Sequence, residues 1–134
     1  MSGTVRALIF GMIAALAVVG VGYALIVRPQ NILNADLQAA EEASKQGAWD
    51  VASERLEKHR QELVKTEAGC NLLLQVYAGG RKGEQLETAA KSCIQNHIET
   101  LPVMMNLALS QELLGRDQDS VNLLGQITQK FPQF

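Results

Sequence analysis

The chain has 134 residues, 47% of them hydrophobic and only 4% aromatic, with a formal net charge of −2 at pH 7. That length allows one domain plus an appendage. Beyond residue 28, ten Lys/Arg are interspersed with fourteen Asp/Glu, which leaves no basic patch and excludes nucleic acid as a partner.

The first element is apolar. Residues 7–27, ALIFGMIAALAVVGVGYALIV, are 21 residues without a charged side chain. As a helix they rise about 31 Å, against a bilayer core of about 30 Å. Lipid leaves the backbone little alternative to a helix. The expectation is a transmembrane anchor over residues 1–28. The alternative is a cleaved secretory signal, with "GYA" at 22–24 as a small-x-small site. A short N-terminal tail carrying Arg6 favours a cytoplasmic N-terminus. The rest then lies outside, as a single-pass protein of a bacterial inner membrane with a periplasmic body. Gly11, Ala15, Val18 and Gly22 fall on one stripe, where small side chains let another helix approach in lipid.

Pro29 lacks an N–H and is expected to stop that helix, leaving 29–34 as a juxtamembrane connector. Everything beyond reads helical. Gly and Pro serve as punctuation, and no run of alternating β-branched residues appears. Helices are expected over 35–46, 49–64, 68–79, 84–98, 102–114 and 118–130. Asp50 and Asp117 are candidate N-caps, and Pro102 suits a first turn.

The punctuation repeats. "SKQGAWDVASERLEKH" and "ELLGRDQDSVNLLGQI" both place a small residue five after a Gly and a Leu four further on: Gly47, Ala52, Leu56 and Gly115, Ser120, Leu124. A middle copy, "KGEQLETAAKSCIQNH", supplies Ala90 and Ile94. Ala52 to Ala90 is 38 residues and Ala90 to Ser120 is 30, a mean of 34. Residues 33–134 resemble three tetratricopeptide repeats, a family of 34-residue helix–turn–helix units. In the third copy Leu107 and Ala108 stand for the family's Leu-Gly, Ser120 and Leu124 for its Ala and Phe, and Pro132 for its closing Pro. Met104 replaces the signature Trp and Gln111 the Tyr. The resemblance implies an all-α solenoid of about three hairpins over 35–134, stacked because no hairpin buries its apolar face alone. Ala40, Ala52, Ala90 and Ala108 would sit at close helix crossings. Trp49 would open a second helix and fold over the tip of its own hairpin.

Little in the sequence carries chemistry. Cys70 and Cys93 bracket a turn near Arg81 at similar height, which suits a disulfide stapling that hairpin; the alternative is two buried thiols. Cys93 and His97 have an i, i+4 metal spacing but no further ligands. "GGRKGE" at 79–84 lacks the setting of a phosphate loop, and no serine has a triad context. The expectation is no enzyme and no cofactor. In the tetratricopeptide family the first helix of each repeat lines a concave groove. The resemblance therefore implies Leu37, Glu41, Ser44, Leu72, Gln75, Met105, Leu109 and Glu112 as groove residues for a peptide or partner helix. Inter-repeat core is the alternative role for the same set. The functional expectation is a membrane-anchored scaffold or adaptor, an accessory subunit of a bacterial membrane complex, in contact with membrane lipid and protein partners. The alternative is a periplasmic chaperone or peptide-binding module released by, or tethered through, its N-terminal segment.

Overall fold

A computed structural model describes residues 3–22 and 28–133, with side chains over 3–17 and 29–133. Among the described residues all regular structure is helical: α1 Gly3–Gly22, α2 Arg28–Lys45, α3 Trp49–Glu57, α4 Arg60–Leu63, α5 Glu67–Gly79, α6 Gly83–Gln95, α7 Leu101–Leu113 and α8 Asp117–Lys130. The chain divides into two units, Met1–Asp36 and Leu37–Phe134.

In the first unit, α1 exposes Leu8, Phe10, Met12, Ile13 and Leu16. Among the described residues no helix is long and apolar enough to cross a membrane. The expected anchor over 1–28, and with it the single-pass inner-membrane location, is corrected on that finding. Within the described residues α1 begins at Gly3 and takes in Arg6, so its described uncharged part runs from residue 7 to residue 22, sixteen residues. These rise about 24 Å, short of the about 30 Å of a bilayer core. The apolar residues 23–27, and the cleavage site expected there, lie outside the described residues. Residues 29–34 do not form a connector either. Pro29 is the second residue of α2, where its missing N–H costs nothing and its fixed φ fits the first turn.

In the second unit α5 packs on α6, α6 on α7 and α7 on α8, while α5 also packs on α3, α4 and α7. The core holds Ala40, Ala52, Leu56, Leu73, Leu74, Tyr77, Leu86 and Ala90, all 0% exposed. The expected helix 49–64 is two: α3 ends at Glu57, and α4 begins after His59, whose N–H bonds Leu56 O at 2.9 Å. Asp50 and Asp117 are not N-caps. Ala48 and Arg116 hold those positions, and the two acids lie in the first turns, where they face the positive end of the helix dipole. Side-chain caps come from Thr66, which accepts from Gly69 N, and Thr100, which accepts from Val103 N.

Four helix ends among the described residues close alike: at His97 (φ 64°) the N–H bonds Ile94 O and the N–H of Ile98 bonds Cys93 O, and the other three share one register. At Gly47, Arg81 and Gly115 the backbone is left-handed, with φ of 72°, 54° and 74°. Each N–H bonds the carbonyl three residues back, at Ser44, Ala78 and Glu112. The following N–H bonds the carbonyl five back, at Ala43, Tyr77 and Gln111. This Schellman closure satisfies carbonyls that the helix end would leave bare. Three of the four turns recur at 47, 81 and 115, a spacing of 34 each time, and the fourth falls at 97. The register of 47, 81 and 115 shifts the expected alignment of the middle segment by one helical turn. Leu86 is the counterpart of Ala52 and Ser120, and Ala90 that of Leu56 and Leu124. Large and small residues are exchanged between these two positions in α6, so matching by size slides the alignment four residues.

The same register governs how the ends of helices meet. Trp49, the first residue of α3, is half-buried with its ring over Gly79, where a Cβ would come within 2.7 Å of three ring atoms. Its Cβ lies 3.2 Å from the position a Cβ would take at Gly80. Trp49 thus covers the end of α5, in the following hairpin, rather than its own tip. Thirty-four residues on, Gly83 opens α6, and a Cβ there would meet Leu113 and Leu114 at 3.2 Å. A large residue over two glycines at one junction becomes a glycine under two leucines at the next.

Candidate functional site

The candidate groove is built by α2 and α5. Glu41, Ser44 and Lys45 of α2 and Leu72 and Gln75 of α5 line one concavity of ≈ 270 Å³. Glu41, Ser44 and Lys45 share a side because residues three and four apart on a helix are neighbours. Ser44 donates from its hydroxyl to Ala40 O at 2.8 Å, which turns the side chain along its own helix and leaves the charged ends of Glu41 and Lys45 to dominate one wall. Leu72 supplies a half-buried apolar floor beside exposed Gln75.

Four of the eight expected groove residues meet there: Glu41, Ser44, Leu72 and Gln75. Lys45 completes the lining and was not foreseen, although it directly follows Ser44 in the last turn. Leu37, Met105 and Leu109 are half-buried and pack against the core, while Glu112 is exposed on α7. In the 34-residue register Glu41, Gln75 and Leu109 are counterparts, as are Ser44, Ala78 and Glu112, so α7 continues the same helix face without lining this concavity.

The remaining candidates resolve differently. Cys70 and Cys93 are joined by a disulfide between α5 and α6, with a Cα–Cα distance of 6.2 Å. Cys93 therefore offers no thiolate to a metal, and His97 is an exposed left-handed residue (φ 64°) at the end of α6. Among the described residues no group of three or more His, Cys, Asp or Glu is arranged to hold a metal ion. On α1, Gly11 and Ala15 are exposed and nothing lies within 4 Å of a Cβ built at Gly11; the side chains of Val18 and Gly22 lie outside the described residues. In the loop after α5, Lys82 Nζ lies 2.9 Å from an Asp50 carboxylate oxygen. The chain matches no protein-family model, no curated protein and no solved structure.

Two titratable clusters tie helices together. Buried Tyr77 of α5 donates to Glu57 of α3. Burial first, then that hydrogen bond, push the phenol above its ordinary pKa. Glu87 of α6 accepts from Lys91 Nζ at 2.9 Å and lies 2.8 Å from Arg116 Nη1. The bond from Lys91 holds the Glu87 carboxyl below the usual carboxylate range, partly opposed by burial. Neither cluster opens onto a cavity with a nucleophile, and both read as ties between neighbouring helices.

Proposed function

We propose that this chain is a tetratricopeptide-like helical-repeat scaffold that holds a segment of a partner protein in the groove between α2 and α5, without enzymatic activity. The observation that carries the reading is the meeting of Glu41, Ser44, Lys45, Leu72 and Gln75 around one concavity. The 34-residue spacing of three of the four left-handed turns supports the repeat assignment, since that is the tetratricopeptide period. An apolar floor between a carboxylate and an ammonium suits a segment with one apolar anchor flanked by charge, the peptide's main chain being met by Gln75 and Ser44. The concavity is small, so it takes a few side chains and suits weak, adaptable recognition rather than a tight small-molecule site.

The test is selection of peptides from a random display library on the full-length chain, followed by competition on variants. Leu72→Glu and Gln75→Arg should each weaken the selected peptides at least about tenfold, the loss of roughly 1.4 kcal/mol. Circular dichroism reports whether the helices persist. Peptides that bind both variants as well as the parent chain would place recognition elsewhere and sink the reading.

A further inference from the structure

The 34-residue register also identifies which row of each second helix is covered by the first helix of the next hairpin. On α3 the row is Trp49, Ser53 and Leu56; on α6 it is Gly83, Glu87 and Ala90; on α8 it is Asp117, Val121 and Leu124. These positions are i, i+4 and i+7, one face of a helix. α3 packs on α5, and α6 packs on α7. Leu56 and Ala90 are accordingly 0% exposed, and Ser53 is 6% exposed. On α8 the row is open: Val121 is 60% exposed and Leu124 36%.

The junction pairs say what would cover it. Trp49 meets Gly79 and Gly80, and Gly83 meets Leu113 and Leu114. One register step before Gly79 and Gly80 lie Lys45 and Gln46, at the end of α2, and both are exposed. Asp117, exposed at the start of α8, is the counterpart of Trp49 and Gly83. A first helix set on α8 by the same rule and taken from another copy therefore brings the Lys45 ammonium to the Asp117 carboxylate. We propose that α8 docks the α2 helix of a second copy of this chain, head to tail, with Val121 and Leu124 beneath it and the Asp117–Lys45 pair at its end. Such a contact is heterologous, and its repetition gives a ring or an open filament according to whether its rotation closes. It is also weak. Glu42 of α2 stands at the register of Val76 and Ser110, both 0% exposed, so docking desolvates a carboxylate.

The experiment uses full-length chains in nonionic detergent, crosslinked with a bismaleimide. The native cysteines are joined to each other, so only introduced thiols react. Asp117→Cys chains mixed with Lys45→Cys chains should give a crosslinked pair several-fold above Asp117→Cys mixed with Lys65→Cys, whose thiol lies in the exposed loop after α4. Adding Leu124→Asp to the Asp117→Cys chain should remove that excess, and adding Glu42→Ala to the Lys45→Cys chain should raise it. Equal yields in the two mixtures, or an excess indifferent to Leu124→Asp, would overturn the proposal. Association through the apolar α1 alone would not respond to Leu124→Asp and so gives the second of those results.

Discussion

The ring of Trp49 rests on Gly79, so that a single methyl at Gly79 would lie 2.7 Å from three ring carbons. Gly79→Ala therefore sets two effects against each other. Alanine gains about 1 kcal/mol of helix propensity over glycine. Overpacking against a rigid ring costs about 1–3 kcal/mol. The net expectation is a loss of roughly 1 kcal/mol in the urea unfolding free energy. In a Trp49→Ala background the clash disappears and the same substitution should become stabilising. A substitution that stabilises in both backgrounds would show that the ring swings aside at no cost.

Trp49→Ala alone should cost about 2 kcal/mol, because the ring is half-buried and a fully buried Trp loses about 3–5. Urea midpoints at constant slope would check it. An unchanged midpoint would mean that the ring contributes nothing to the packing of α3 on α5.

The Cys70–Cys93 bond closes a loop with a sequence separation of 23. By chain entropy a loop of that size stabilises by roughly 3 kcal/mol. The Cys70→Ala, Cys93→Ala double variant should lose about that much, and the parent chain in excess reductant should lose a similar amount. A loss under about 1 kcal/mol in both would mean that α5 and α6 hold each other without the bond.

The helical character of the chain was legible because its punctuation was. Gly47 and Gly115 mark two left-handed turns openly. The third turn of the 34-residue register falls on Arg81, which advertises nothing, and the exchange of Leu86 and Ala90 hid the register of α6. Half of the groove set came together because Glu41 and Ser44 share one face of α2, and Leu72 and Gln75 one face of α5. Leu37, Met105 and Leu109 are drawn toward the core by their own apolar side chains. The N-terminal reading failed for a different reason. The uncharged run extends to residue 27, whereas the described part of α1 takes in Arg6 and runs to Gly22, and no described helix is long and apolar enough to cross a membrane. The partner of Trp49 was out of reach altogether, since Gly79 belongs to another hairpin and no local pattern joins them.

Tyr77 is 0% exposed and its hydrogen bond to Glu57 joins α5 to α3. Its folded pKa lies above the unfolded value of about 10. A raised pKa on this neutral acid means stability that is fully present below pH about 10 and lost as the pH climbs from there toward the folded value. Tyr77→Phe should cost about 1 kcal/mol near neutrality, since Glu57 is exposed and water satisfies its carboxylate. The variant should also lack the alkaline decline attributable to this phenol. Parallel stability curves for parent and variant above pH 10 would contradict the assignment.

Glu87 gives the mirror case on the acid side. Its side chain is 15% exposed and stands between Lys91 of α6 and Arg116 of the turn after α7, whose side chains are 55% and 46% exposed. Its folded pKa is lowered, so the stability it confers is present above the unfolded carboxylate value, about 4.3, and lost as pH falls through the folded one. Solvent around both cations keeps the contribution to about 1 kcal/mol. Glu87→Gln should therefore be less stable than the parent by about that amount at pH 7, and the two unfolding curves should converge as the pH drops below about 4. A gap that stayed constant with pH would mean that Glu87 acts through packing against the Arg116 turn, and that its charge ties nothing together.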